Sequence, residues 1–291
     1  NYIVVILGAL CFPLIFYVAF VYGLLPGMFL TLVAYYYFIK YTKEKHWYQL
    51  VISALSINLA ILLIGNNLIH LLAIFAVAVI YFIRNKDWKV IVFILSCVFL
   101  MSASKSVITN YYEVKSQKEI AEGVPKITWV AMGMQEGERE AGWWNRFNYD
   151  IMPEEEYDEK RITEISKTSM KQRLNVFRDN PKYAFDFYQR KYENQFIEPT
   201  FQSLLVTAPQ RNFSNETTLE KTRDFFVKQI YFNHTHTVLE FIMKVFQVFV
   251  YLFTFVFAVV MYKRKNEFFA IIPIAFIGGT LFNMIWEAKS R

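Results

Sequence analysis

Long apolar runs separated by short polar breaks make up most of the chain, and one large polar segment interrupts this pattern. Seven runs approach the roughly 20 apolar residues that a membrane-spanning helix needs. They cover Tyr2–Gly23, Pro26–Ile39, Trp47–Gly65, Leu68–Ile83, Trp88–Ser104, Val238–Tyr262 and Phe268–Trp286. The second and fourth runs are short, but tight turns join them to their neighbours as helical hairpins. The pattern therefore predicts an α-helical polytopic membrane protein with about seven transmembrane helices.

The polar segment is predicted to be a mainly helical extracytoplasmic domain inserted between helices 5 and 6. Five apolar residues recur at spacings typical of an amphipathic helix, namely Ile162, Ile165, Met170, Leu174 and Phe177. Another helix is predicted to begin at Asn180-Pro181, with Asn as N-cap. Residues 123–148 show little helical period, so we expect an ordered loop there. The predicted division is helices 1–5 in residues 1–104, the outer domain in 105–237 and helices 6–7 in 238–291.

The composition agrees with this division and excludes an ordinary soluble protein. Hydrophobic residues make up 55% of the chain and charged residues 19%, against about 25% charged in soluble domains. The segment from Lys105 to Lys228 holds 19 basic and 20 acidic residues, whereas the rest of the chain holds 12 and 5. The net positive charge thus belongs to the membrane part. It indicates topology, and no nucleic-acid partner is expected.

The basic residues of the short loops predict the orientation in the cell membrane. Nine of them fall in three alternate loops: Lys40, Lys43, Lys45, Arg84, Lys86, Lys89, Lys263, Arg264 and Lys265. Such loops face the cytoplasm. The N-terminus is then cytoplasmic, and residues 105–237 and the C-terminus are extracytoplasmic. Because the chain begins with Asn1 inside an apolar run, we expect it to be a piece of a longer protein.

Paired indoles in the outer domain form the first candidate binding group. Trp143 and Trp144 lie between Gly142 and Asn145, where their rings could stack on the C–H faces of a sugar while Asn145 takes hydroxyl groups. The alternative interpretation is an interfacial aromatic belt or a small core under the loop.

Polar residues at the outer ends of the membrane helices form the second group. Glu287 and Arg291 are four residues apart and would share a helix face. The guanidinium group of Arg291 has paired N–H donors that suit phosphate oxygens. Lys289 lies between them. Lys244 lies inside an apolar run, near Glu240. Snorkelling at a helix end is the alternative for these cations.

The turn between helices 3 and 4 contributes Asn66 and His70, which either line an outer cavity or simply close the hairpin. His234 and His236 lack accompanying Cys or acidic ligands. We expect no metal and no cofactor.

Several strings together resemble bacterial multi-pass glycosyltransferases, the protein mannosyltransferase-like, glycosyltransferase family 39-type proteins of the GT-C fold. These strings are Lys40–Trp47, Asn66–Ile69, Gly123–Met134, Gly142–Asn145, Asn194–Ser203 and Trp286–Arg291. The resemblance implies transfer of a sugar from a polyprenyl-phosphate donor to a cell-surface acceptor, which could be a cell-wall polymer, a glycolipid or a protein. The candidate substrate-binding residues are then Asn66, His70, Trp143, Trp144, Asn145, Lys244, Glu287, Lys289 and Arg291. Membrane lipids are expected as further partners.

The chain departs from that family at its catalytic carboxylate. In the family this group lies in the first outer loop, whereas the first outer loop here, Leu24–Gly27, has no carboxylate. The resemblance therefore implies a C-terminal part that lacks the base. Two other functions stay open: a non-enzymatic scaffold or sensor with a glycan-binding outer domain, and a transporter of a lipid-linked sugar.

Overall fold

The protein is helical throughout the part of the chain that its structure, a computed structural model, describes. The described residues are 8, 11–18, 20, 22–120, 123–137, 140–152, 158–207, 217–231, 234–263 and 270–288. No β-strand occurs among them.

Except for the first, the apolar runs fold into helices close to the predicted ones. The helices are α1 (Phe12–Tyr17), α2 (Leu24–Glu44), α3 (Trp47–Leu63), α4 (Leu68–Asn85) and α5 (Trp88–Ser116), followed later in the chain by α12 (His234–Lys263) and α13 (Ile271–Ile285). Three segments are long and apolar enough to cross a membrane: Gly65–Asn85, Trp88–Ser116 and His236–Lys263. Two apolar helices, α3 and α13, are shorter. Ten of the 22 residues of the first predicted span lie outside the described residues.

The polar segment adds six helices to the described structure. They are α6 (Lys126–Gly133), α7 (Phe147–Asp150), α8 (Glu159–Asp179), α9 (Pro181–Glu193), α10 (Ser203–Thr207) and α11 (Thr218–Tyr231). The predicted amphipathic helix and its successor are confirmed as α8 and α9. The Asn180 side chain accepts a hydrogen bond from the Tyr183 N–H at 3.1 Å, and Pro181 begins the helix, as the N-cap pattern predicts.

One prediction for this region needs correction, and one helix is longer than the span predicted for it. Residues 126–133 form α6, although the sequence stretch shows little helical period. Its eight residues are too few to display a period, and packing against α8 stabilises it instead. The helix α5 continues past the predicted end of the span at Ser104 as far as Ser116, because nothing in the polar residues that follow breaks a helix.

The membrane helices pack around an apolar core in which α3 contacts both α2 and α5. At one end of the bundle, the α2–α3 and α4–α5 loops meet. The Tyr41 hydroxyl donates to Asp87 Oδ2 at 2.7 Å, and Lys45 Nζ lies 3.4 Å from the same oxygen. Two of the lysine-bearing loops therefore lie side by side, as the charge pattern predicts.

The opposite end of the bundle carries the polar segment, which we call the outer domain after its predicted location. Helices α6, α8 and α9 share a core of Met134, Ala141, Phe177 and Phe187. This unit rests on α13, which contacts α6 and α9. The junction between them forms the candidate site.

Candidate functional site

A cavity of about 440 Å³ lies where the outer domain meets the ends of the membrane helices, and we name it the boundary cavity. Four parts of the chain surround it: Tyr22 and Leu24 at the start of α2, the turn between α3 and α4, α13 with the residues after it, and α6. Its polar groups are Asn66, Asn67, His70, Asn283 and Glu287. Its large aromatic groups are Tyr22, Trp129, Phe282 and Trp286. Amides, indoles and a carboxylate thus surround a space of the size typical of ligand sites.

The turn between α3 and α4 is held by Asn67. Its side-chain Nδ2 donates to the carbonyl oxygen of Ala60 at 2.7 Å, which also accepts the N–H of Ile64 at the end of α3. The turn fits closely against α2, because a Cβ on Gly27 would lie 2.8 Å from that nitrogen. Asn67 therefore has a structural role, and its neighbour Asn66 remains on the cavity wall.

His70 is oriented by a tyrosine of a neighbouring helix. The Tyr35 hydroxyl and His70 Nδ1 are 2.7 Å apart, and the two rings meet edge to face. Within the described structure, the other ring nitrogen of His70 makes no hydrogen bond to protein. One nitrogen thus fixes the ring, and the other can serve a ligand in the boundary cavity.

Glu287 lies beyond the end of the last helix. Helix α13 ends at Ile285, and Trp286 is extended with ψ −177°. The helical four-residue spacing proposed for Glu287 and Arg291 therefore does not apply, since Glu287 is already outside the helix. The Glu287 side chain is only 5% exposed, so its carboxylate is placed by packing.

Two glycines of the outer domain contact residues 286–288, the segment that follows α13. A Cβ on Gly133 would lie 2.6 Å from the carbonyl carbon of Trp286, so only glycine lets the two backbones approach so closely. The Ala288 N–H donates to the carbonyl oxygen of Gly142 at 2.9 Å. The chain after α13 is thus clamped between two loops of the outer domain.

A buried lysine completes the clamp. Lys191 is fully buried, and its Nζ donates to the carbonyl oxygen of Gly133. Burial lowers the pKa of Lys191 to about 7, although the negative charge of Glu287 opposes the decrease. Gly142 makes room for the lysine stem, because a Cβ there would lie 2.7 Å from Lys191 Cε. The charge of Glu287, on the cavity wall, therefore acts on a lysine buried in the outer domain.

Lys191 is absent from the candidates that the sequence supplied. The available signal was its position one helical turn after Phe187, which is also fully buried. Residues four apart share a helix face, so α9 places this lysine on its apolar side. Trp129 was missed as well, because it precedes the glycine-rich stretch by only a few residues and looked like part of a loop.

A second space, which we name the outer-domain cleft, is formed entirely by the outer domain and shares no lining residue with the boundary cavity. It has a volume of about 460 Å³. Its walls are formed by Gln135, Glu136, Gly137, Trp144, Asn145, Arg146, Phe147 and Asp150. Trp144 and Asn145 are thus brought together with carboxylates and amides. Trp143 lines neither space; it is half-buried, and its indole nitrogen has no hydrogen-bond partner in the described part of the chain.

The structure does not bring the remaining candidates to the boundary cavity. Lys244 is exposed on α12 and does not line it, and Glu240 is 3.4 Å from His236. Lys289 and Arg291 lie outside the described residues. No cluster of three or more potential metal ligands occurs among the residues that the structure describes.

An apolar groove of about 610 Å³ lies between α3 and α5. Trp47, Trp88 and Lys89 line it near the lysine-bearing loops, and Phe93 and Phe99 line its interior. Such a wall suits hydrocarbon chains and offers few groups for chemistry. The boundary cavity is therefore the better candidate for a reaction, despite its smaller volume.

Comparison with known proteins identifies a family of integral membrane proteins. The sequence pattern of a family described as “conserved hypothetical integral membrane protein” matches residues 2–291. No curated protein and no solved structure matches the chain.

Proposed function

Because the chain belongs to this family of integral membrane proteins, we propose that it is part of a membrane glycosyltransferase. The enzyme would move a sugar from a polyprenyl-phosphate-linked donor to an acceptor at the extracytoplasmic face of the cell membrane. The observation that carries this proposal is the boundary cavity, which combines amides, indoles and a carboxylate at the end of the helical bundle.

The location of the boundary cavity suits a donor that is anchored in lipid. The cavity lies at the end of the bundle opposite the lysine-bearing loops, which the positive-inside rule assigns to the cytoplasm. A polyprenyl tail could remain in the hydrocarbon layer while its sugar enters from the outer boundary. This orientation, with residues 105–237 outside, is part of the proposal.

The lining suits a sugar headgroup. Trp129 and Trp286 offer apolar ring faces, and such rings pack against the C–H faces of sugars. The amides of Asn66 and Asn283 can both donate and accept hydrogen bonds. Sugar hydroxyls need both kinds of partner when they leave water.

The reaction needs a group that accepts a proton from the attacking hydroxyl and groups that stabilise the departing phosphate. Because the family's carboxylate is absent from Leu24–Gly27, we assign the first role to Glu287, the one carboxylate on the described cavity wall. That wall contains no lysine or arginine among the described residues. We assign the phosphate to Lys289 and Arg291, which follow Glu287 by two and four residues in the sequence.

The test is transfer of labelled sugar from a polyprenyl-phosphate donor by the full-length protein in lipid. Glu287→Gln should reduce transfer at least about tenfold, in the range that general acid–base catalysis contributes, while protein abundance stays normal. Glu240→Gln is the matched control, because Glu240 is also near a membrane helix end but does not line the cavity. Equal activity of the wild type and Glu287→Gln would contradict the assignment.

A second candidate function is a non-enzymatic scaffold or sensor that binds glycans. The absence of a carboxylate from Leu24–Gly27 favours it, as does the exposed Trp144 in the outer-domain cleft. The same assay separates the two functions. No transfer by the wild-type full-length protein, together with retained glycan binding, would support the scaffold.

A further inference from the structure

We propose that the outer-domain cleft binds a neutral pyranose unit of a glycan, which stacks on Trp144 and hydrogen-bonds to Asn145 and Asp150. This site shares no lining residue with the boundary cavity. The proposal needs no transfer reaction, and therefore holds for a transferase and for a scaffold alike.

The cleft presents one exposed indole beside polar groups. Trp144 is 43% exposed. Burial of its apolar ring would stabilise the protein, so its exposure is unfavourable for folding. Tyr149 meets its ring edge-on, with the ring centres 6.1 Å apart, and so supports the indole from the side. A flat apolar face held in this way is suited to the C–H face of a pyranose ring.

The polar walls are prearranged by hydrogen bonds. Asn145 Nδ2 donates to Gln135 Oε1 at 3.0 Å, and Gln135 Nε2 donates to Ser169 Oγ at 2.9 Å. Asn145 Oδ1 accepts from the N–H of Phe147 at 3.1 Å. Each amide keeps further donor and acceptor capacity. A ligand would therefore meet fixed groups and would not need to order them.

The backbone beside the indole adopts an unusual conformation. Arg146 has φ +70°, a left-handed conformation that costs a non-glycine residue about 1–2 kcal/mol. This turn places Asp150 on the cleft wall, where its carboxylate makes no hydrogen bond to the described residues. Strain of this kind is common at binding sites.

The charges of the cleft favour a neutral ligand. Glu136 is engaged by Arg190, whose two terminal nitrogens donate at 2.6 and 3.2 Å. Burial opposes ionisation of Glu136, but the bonds from Arg190 and Tyr183 outweigh it and hold its pKa below the ordinary value. Among the described residues of the cleft wall, that leaves one cation, Arg146, and one anion, Asp150. The pair gives no net attraction for an anionic or a cationic ligand.

The test is calorimetric titration of the full chain in lipid nanodiscs with chitotriose and cellotriose as neutral probes and trigalacturonate as an anionic one. No donor lipid is added, so failure here is distinguishable from failure of the transferase proposal. We expect a neutral trisaccharide to bind and the anionic one to bind more weakly. Binding of trigalacturonate alone, or of no probe at millimolar concentration, would overturn the proposal.

Variants locate the binding in the cleft. Trp144→Ala should weaken binding at least about tenfold, equivalent to 1.4 kcal/mol, and Asp150→Ala should weaken it without removing the ring. Phe185→Ala is the matched control, because Phe185 is another exposed aromatic residue of the outer domain and does not line the cleft. If Trp144→Ala and Asp150→Ala both bind as the wild type does, the site is elsewhere and the proposal fails.

Discussion

The buried Lys191 makes the stability of the protein depend on pH in a way that can be measured. Lys191 is fully buried, and its pKa falls from an ordinary 10.5 to about 7. Because one pKa unit corresponds to about 1.4 kcal/mol, the folded state holds the charged lysine at a cost of about 5 kcal/mol relative to the unfolded state. This cost is present in full below pH 7, where both states are protonated.

Stability should therefore increase with pH above neutrality. Between pH 7 and 10.5 the unfolded chain binds the proton that the folded protein has released, so unfolding becomes less favourable by up to about 1.4 kcal/mol per pH unit. From pH 7 to pH 9 the gain from Lys191 is about 2–3 kcal/mol. The neutral amine can still donate to the carbonyl oxygen of Gly133.

Lys191→Met keeps the length of the side chain and removes the titration. The assay is the unfolding of the full chain in detergent, measured from pH 7 to pH 9. We expect the wild type to gain stability over this range relative to Lys191→Met.

Lys182→Met provides the control for this comparison. Lys182 lies on the same helix as Lys191 but is exposed, so the pH dependence of this variant should match that of the wild type. Parallel curves for the wild type and Lys191→Met would refute the reasoning. The lysine would then be hydrated in solution, and the clamp around Gly133 and Gly142 would be looser than described.

Two further predictions concern packing and topology. Gly142→Ala should destabilise the protein by roughly 2–4 kcal/mol in the same unfolding assay. The reason is that Gly142 has φ +71° and that a Cβ there would lie 2.6 Å from the Gly133 carbonyl oxygen. Gly65→Ala is the control and should have a much smaller effect, because a Cβ on Gly65 would meet no atom within 4 Å. Lys160 is exposed on α8, so a cysteine at this position should react with an impermeant thiol reagent added to intact cells. Labelling only after permeabilisation would contradict the proposed orientation.

The sequence was sufficient to predict most helices and their order. Apolar runs can cross a hydrocarbon layer only as helices, because every backbone polar group must then be satisfied within the segment. The start of α9 was also predictable, since the cap at Asn180 and the proline after it act locally. The meeting of two lysine-bearing loops follows from the alternation of antiparallel helices.

Part of the candidate site was predictable too, and for the same local reason. Asn66 and His70 occupy a turn between two apolar runs, and Glu287 lies at the end of another, so all three had to lie at helix ends. That they surround one cavity follows from the packing of α4 against α13. Sequence patterns contain no measure of how closely these two helices pack.

Tertiary structure alone decided the rest. Trp144 and Asn145 could have faced the membrane boundary or the outer surface, and the fold of the loop around Gln135 placed them in a separate cleft. Lys191 looked like any charged residue of an amphipathic helix. Its burial depends on two distant glycines, Gly133 and Gly142, which leave space for its stem and for the chain after α13. Burial arises from contacts between residues far apart in sequence, and local patterns do not encode such contacts.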